Sequence, residues 1–172
     1  MIRDALPTDA QVIAQIHVRS WQQAYRELLP SDFLDSLSVT LPRREAYWRD
    51  AITRRECNVL VAEVAGQVVG WIAVGPCRDQ ERSGVGRGEV QAIYVLADLW
   101  GKGIGTALWQ AGSGLLFDQS YKHLSLWVLA ANVRAIRFYQ RRGGMEEPDS
   151  RRSLLRGGVT LEEVRYVWRR GG

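Results

Sequence analysis

The chain has 172 residues, of which 46% are apolar and 24% are charged, and its formal net charge is +4. This length and composition predict one domain, residues 1–172, and argue against a disordered protein. There is neither an apolar run of about 18 residues nor an amino-terminal leader, so we expect a cytoplasmic protein without a membrane span. Two cysteines and two histidines are too few for a disulfide framework or a metal cluster, so no metal site is predicted.

The first third of the chain predicts one short strand and then helices. A strand is expected at residues 2–5, and a Thr8-x-x-Gln11 capping box is typical of a helix that starts there. Further helices are predicted after Pro30 and after Pro42, because proline is favoured in the first helical turn.

Three aromatic residues mark one face of the first predicted helix. His17, Trp21 and Tyr25 recur at intervals of four residues and therefore form a stripe. Core packing is the simpler interpretation of this stripe. The alternative is that Trp21 or Tyr25 reaches a substrate pocket.

The middle of the chain changes to strand patterns. Residues 58–64 and 68–74 predict a hairpin around a short turn, and residues 75–88, rich in glycine and charge, predict a loop. Residues 89–95 predict a strand that leads through Trp-Gly-Lys-Gly-Ile-Gly into a helix over residues 103–118.

The glycine-rich turn between this strand and helix indicates a phosphate site. Gly101, Gly103 and Gly105 bare the backbone where the helix begins, and the free N–H groups of a first turn favour negative charge. The turn lacks the Ser or Thr of a Walker loop after Lys102, and it lacks the third glycine of a Rossmann fingerprint. Both nucleotide-binding motifs are therefore absent.

The last third of the chain predicts a buried strand at residues 124–129 and a helix at residues 132–142. A final strand is expected at residues 159–168, with another within residues 145–155. Asn132 and Tyr139 are seven residues apart, or about two turns, and share a helix face. Asn132 could serve only as a helix cap and Tyr139 only as a core aromatic.

These two segments together resemble a known superfamily. The glycine turn is similar to motif A of the GCN5-related N-acetyltransferases (GNAT), with Trp100 where the family usually has Gln or Arg. The segment Asn-x-Arg-Ala-Ile-x-Phe-Tyr, which begins at Asn132, resembles motif B and follows in the family order.

The resemblance implies an α/β (α+β) fold and acetyl-CoA (coenzyme A) as the cofactor. The fold would be a central, mixed, mostly antiparallel, twisted sheet of six to seven strands with four to five flanking helices. The cofactor-binding positions would be Ile93, Tyr94, Val95, Trp100, Gly101, Lys102, Gly103, Ile104, Gly105, Thr106, Asn132, Ala135, Phe138 and Tyr139.

The resemblance also suggests catalytic roles. Glu89 is the expected base that removes a proton from the amine, and Tyr139 the expected acid that protonates the departing thiolate. Glu89 could instead be a solvated strand end. Strand alternation places Glu89, Ile93 and Val95 on one face, but the family's strand carries a bulge here that could re-aim them.

The expected activity is direct transfer of an acetyl group to a primary amine of a small molecule or peptide, in a ternary complex. A non-catalytic acyl-CoA-binding sensor or interaction module is the alternative. No nucleic-acid or membrane partner is expected, because the arginines show no aromatic–basic clustering. The family often forms dimers, so a homodimer is one expected assembly. Trp21 and Tyr25 are the candidate acceptor-binding residues.

Overall fold

The computed structural model describes residues 1–79 and 86–170. Within these ranges, eight strands form one sheet and five α-helices flank it. The strands are β1 (Ile2–Asp4), β2 (Asn58–Val64), β3 (Gln67–Pro76), β4 (Arg87–Val95), β5 (His123–Leu129), β6 (Met145–Glu146), β7 (Arg152–Arg156) and β8 (Val159–Arg169). The helices are α1 (Ala10–Ala24), α2 (Ser31–Ser36), α3 (Leu41–Arg54), α4 (Ile104–Asp118) and α5 (Val133–Gln140).

The sheet is mixed and mostly antiparallel, as the family resemblance implied. Its order is β1-β2-β3-β4-β5-β8-β6, and β7 also pairs with β8. Among the described strands, only β4 and β5 pair in parallel, because the chain crosses over through α4 between them. The expected six to seven strands become eight because residues 145–156 supply two short strands rather than one.

Apolar cores lie on both faces of the sheet. Leu108 and Leu116 of α4 pack on one face, and Ile13 of α1 with Trp48 of α3 packs on the other. Within the described ranges, no helix combines the length and hydropathy that crossing a bilayer requires.

Two local predictions need correction. The predicted capping box at Thr8 is absent: residues Pro7–Asp9 form a short 3-10 helix, and the Asp9 carboxylate accepts the Leu6 N–H at 2.7 Å. The predicted loop at residues 75–88 is shorter, because β3 continues to Pro76 and β4 begins at Arg87. Residues 80–85 of that loop, including Glu81 and Arg82, lie outside the described residues.

Candidate active site

Strand β4 carries a bulge at Gln91. Ala92 pairs with Ala73 of β3, whereas Val90 pairs with the next residue, Val74, so the register of these two strands skips Gln91. One extra residue reverses which face the side chains occupy on either side of it.

The bulge separates Glu89 from Ile93. Val90 and Ile93 contact the core beneath α4, whereas Tyr94 contacts the core beneath α1. Glu89 precedes Val90 and therefore points to the α1 face. The bulge implied by the family resemblance is present, and it places Glu89 on the face of the sheet opposite α4 and α5.

A gap opens between β4 and β5. Their parallel ladder ends at Glu89 and Ser125, although both strands continue. Leu96 donates its N–H to the Val69 carbonyl of the β3 strand at 3.0 Å. The backbone N–H and carbonyl of Val95, one residue earlier, therefore point away from β3 and into the gap. The same groups of Ile93, two residues before Val95, also point into the gap. This strand edge can pair with an extended ligand.

Two clefts meet at the gap. The larger, of about 880 Å³, lies between the glycine turn and α5, and the smaller, of about 520 Å³, lies among α1, β4, β5 and the β7–β8 hairpin. Six residues line both clefts and mark the junction: Ile93, Val95, Trp100, Arg134, Ala135 and Tyr139.

The glycine turn opens onto the larger cleft. Gly101 and Gly103 have φ of 75° and 82°, a left-handed conformation that glycine adopts without strain. A β-carbon at either position would meet no atom within 4 Å, so the turn faces open space. Gly103 precedes α4 directly, and the N–H groups of that first turn have no intrahelical partner. This arrangement can bind an anion through the main chain.

The larger cleft contains most of the predicted cofactor-binding residues and several arginines that sequence reasoning missed. Gly105, Thr106 and Phe138 line it, whereas Lys102 and Ile104 are absent from its wall. The missed residues are Arg134, Arg137, Arg141 and Arg142. The first three are spaced i, i+3, i+7, which predicts a single helix face and could have identified them.

Trp100 and Arg134 join the two walls of the junction. The Trp100 indole N–H donates to the Val95 carbonyl at 2.8 Å, and the Arg134 guanidinium lies 3.2 Å from the centroid of the Trp100 ring. Burial lowers the pKa of Arg134, and no carboxylate of the described residues pairs with it. A half-buried guanidinium without an acidic partner favours an anionic ligand.

Asn132 combines a capping role with a place in the smaller cleft. Its side-chain oxygen accepts the Ala135 N–H at 3.2 Å, and its amide nitrogen lies 3.4 Å from the Tyr25 hydroxyl, to which it donates. Asn132 therefore caps α5, and its contact with Tyr25 links α5 to the end of α1.

Tyr139 lies at the junction with only 8% of its surface exposed. Its ring packs against Phe138 and Trp168 with centroid distances of 5.5 and 6.0 Å. Burial raises the pKa of Tyr139, so the phenol stays protonated near neutral pH.

Glu89 is buried and bound to Arg78. Its carboxylate accepts the Arg78 backbone N–H at 2.9 Å and two guanidinium N–H groups at 2.8 and 3.1 Å. Glu89 is 2% exposed, whereas the Arg78 side chain is 58% exposed and lines the smaller cleft. Arg78 therefore stands between Glu89 and the solvent of that cleft.

The carboxyl-terminal end of the aromatic stripe faces the smaller cleft. Trp21 and Tyr25 both line it, and their rings meet edge-on at 4.9 Å. The Trp21 indole donates to the Tyr94 hydroxyl at 3.0 Å, and His17 stacks on Tyr94 at 4.7 Å. Tyr94, predicted to bind the cofactor, thus directs its side chain toward α1 rather than into the larger cleft.

Comparisons with known proteins identify the fold and its family. The model of the Acetyltransferase (GNAT) family matches residues 18–144. The chain belongs to this family. It is 33% identical over 168 residues to YuaI, an uncharacterized N-acetyltransferase of Bacillus subtilis, with 97% of this chain and 91% of the relative covered. The expectations of an N-acetyltransferase and of acetyl-CoA as its cosubstrate are thereby confirmed.

Solved structures share this GNAT fold at low sequence identity. A ribosomal-protein-alanine N-acetyltransferase from Brucella melitensis superposes with a TM-score of 0.76 at 21% identity, covering 98% of this chain and 99% of the other. The yncA protein of Salmonella typhimurium, a putative acetyltransferase with its cofactor acetyl-CoA, superposes with a TM-score of 0.73 at 19% identity. The superposition covers 98% of this chain and 92% of the other. These likenesses support the fold.

Proposed function

We propose that this GNAT protein moves an acetyl group from acetyl-CoA to a primary amine of a small molecule or peptide, by direct transfer in a ternary complex. The observation that carries the proposal is the gap between β4 and β5, where the larger and the smaller cleft meet at Tyr139. A ligand in each cleft would meet its partner there without a covalent enzyme intermediate.

The residues of the larger cleft fit coenzyme A. The open turn at Gly101 and Gly103 and the arginines of α5 suit its phosphates, because both supply positive charge and N–H donors. The strand edge at Ile93 and Val95, where the Val95 carbonyl also accepts the Trp100 indole N–H, suits the amides of its pantetheine arm. Bound acetyl-CoA would supply the acetyl thioester. The amine nitrogen bonds to the acetyl carbonyl carbon, and the bond from that carbon to sulfur breaks to release the thiol of coenzyme A.

Tyr139 acts in this proposal as the proton donor to the leaving sulfur. Its phenol lies at the junction of the clefts and stays protonated at neutral pH because burial raises its pKa. A main-chain N–H beside the Gln91 bulge polarises the acetyl carbonyl.

Glu89 acts as the base, either directly or through a water molecule, and Arg78 covers its carboxylate. Since Arg78 covers the carboxylate, the amine reaches Glu89 only when Arg78 shifts or a water molecule relays the proton. The amine must lose one proton before attack, because an alkylammonium has no free electron pair.

The same ion pair favours the second candidate function, an acyl-CoA-binding sensor without turnover. Three hydrogen bonds from Arg78 occupy the Glu89 carboxylate, so Glu89 could serve only to hold the residues that precede β4. In that case the cofactor cleft would bind acetyl-CoA while no amine is acetylated.

Free-thiol release from acetyl-CoA, measured across amino acids, peptides, polyamines and aminoglycosides, tests the proposal. We expect turnover on one class and a loss of about 10²-fold in kcat for Glu89→Gln. Glu162→Gln, at an exposed carboxylate paired with Arg151, is the matched control and should retain activity. Tight acetyl-CoA binding without thiol release from any amine would favour the sensor.

A further inference from the structure

Positively charged side chains outnumber negatively charged ones in the wall of the smaller cleft. Four guanidinium groups and one carboxylate line it, from Arg78, Arg134, Arg152, Arg156 and Glu163. A cleft with this excess of positive charge repels a polycationic amine and attracts a ligand that carries a negative group.

Two of the four guanidinium groups already have carboxylate partners. Arg78 binds Glu89, and the Arg152 Nε donates to Glu163 at 2.5 Å. Arg134 and Arg156 form no ion pair with any residue in ranges 1–79 and 86–170. Arg134 also lines the larger cleft, where the phosphates of bound coenzyme A would balance its charge. The charge of Arg156 is left without an assigned partner.

Arg156 is an exposed residue at the edge of the smaller cleft. Its Nη1 donates to the Leu155 carbonyl at 2.8 Å, and it immediately precedes the turn of the β7–β8 hairpin. In that turn Gly157 packs against Phe33, since a β-carbon on Gly157 would lie 2.6 Å from Phe33 Cγ. Leu154, two residues before Arg156, contacts the buried cluster that includes Tyr25. The hairpin is therefore held against α1 and α2.

We infer that the acceptor is an amine that also carries a carboxylate, as in an amino acid, and that Arg156 binds this carboxylate. The inference rests on the acetyltransferase function proposed above and deepens it by naming the acceptor class. Guanidinium and carboxylate groups form paired, charge-assisted hydrogen bonds, so Arg156 would orient the acceptor as well as attract it. Trp21 and Tyr25 would contact the apolar part of the same acceptor.

Amines that differ only in the carboxylate test the inference. Amino acids are compared with their carboxamides as acceptors, with thiol release as the measurement, in the parent protein and in Arg156→Gln. We expect the parent to have a KM at least about tenfold lower for the amino acid than for its carboxamide. Arg156→Gln should abolish this preference by raising the KM for the amino acid, with the KM for the carboxamide and for acetyl-CoA unchanged.

Arg151→Gln is the matched control, because Arg151 precedes the same hairpin, pairs with Glu162 and is absent from the cleft wall. It should keep the preference of the parent. Turnover that is equal for the acid and the carboxamide, or best with a polyamine, would overturn the inference and leave the acetyltransferase proposal standing. Thiol release from no amine at all would overturn both.

Discussion

The Arg134 guanidinium lies 3.2 Å from the centroid of the Trp100 indole ring, across the junction of the two clefts. Trp100 occupies the position where GNAT motif A usually has a polar Gln or Arg. Here the indole donates to the Val95 carbonyl, and its ring supports a guanidinium from α5. Arg134 thus brings a guanidinium from α5 to the start of the glycine turn.

Replacement of Arg134 by Gln should weaken acetyl-CoA binding by about tenfold, because one charge-assisted contact with the ligand is lost. Isothermal titration calorimetry with acetyl-CoA and with acetyl-pantetheine, which lacks the pyrophosphate, distinguishes the loss of a phosphate contact from a general disturbance of the cleft. The variant should lose affinity only for acetyl-CoA. Arg54→Gln makes the same charge change on the surface of α3 and should have no effect. Equal losses for both ligands would contradict a phosphate contact.

Tyr139→Phe should lower kcat by about 10²-fold without affecting the KM for acetyl-CoA, because it removes the proton donor and keeps the buried ring. Burial raises the pKa of Tyr139, so the phenol should remain protonated up to about pH 10. The ratio of parent to variant kcat, measured by thiol release, should therefore be constant from about pH 7 to pH 10. A ratio that falls toward one as the pH rises within that range would show that the phenol loses its proton there, whereas equal kcat values for parent and variant at about pH 7 would show that Tyr139 is not the acid.

The sequence predicted the main elements of the site because each depends on local patterns. The glycine turn, the strand before it and the cap at Asn132 follow from residue types within short segments. The GNAT fold followed from two such segments in the family order.

What the sequence could not predict are contacts between distant residues. The pairing of Arg78 with Glu89 and that of Arg134 with Trp100 require the folded sheet and its helices. The spacing of the α5 arginines could have indicated a basic face, but not which cleft it lines. Sequence alternation alone also placed Glu89 on the wrong face, because a bulge at Gln91 depends on pairing with β3.

Two glycines of α4, Gly112 and Gly114, should respond oppositely to replacement by alanine. A β-carbon on Gly112 would lie 2.7 Å from Ile72 Cδ1, so Gly112→Ala should lower the free energy of unfolding by about 1–3 kcal/mol. A β-carbon on Gly114 would meet nothing within 4 Å, so Gly114→Ala should raise it by up to about 1 kcal/mol. Urea denaturation measures the free energy of unfolding of both variants. Equal changes would contradict the close contact at Gly112 and the open space at Gly114.

His17 should make the protein sensitive to mild acid. Burial lowers the pKa of His17 from 6.5 to about 3, and the nearby Arg44 acts in the same direction. The imidazole is therefore neutral in the folded chain but takes up a proton below pH 6.5 in the unfolded chain. The contribution of neutral His17 to the free energy of unfolding is therefore complete above pH 6.5 and is lost progressively as the pH falls toward 3.

Between about pH 6.5 and pH 4.5 we expect the free energy of unfolding to fall by about 2–3 kcal/mol from this group. His17→Phe keeps an aromatic ring beside Tyr94, which the imidazole stacks on at 4.7 Å, and removes the titrating group. Its stability, from urea denaturation at each pH, should be nearly level across this window. The carboxylates of Asp9 and Asp79, whose pKa values are also lowered, should affect both proteins alike only at lower pH. If parent and variant lose stability in parallel between pH 6.5 and pH 4.5, another group is responsible and His17 is protonated in the folded chain.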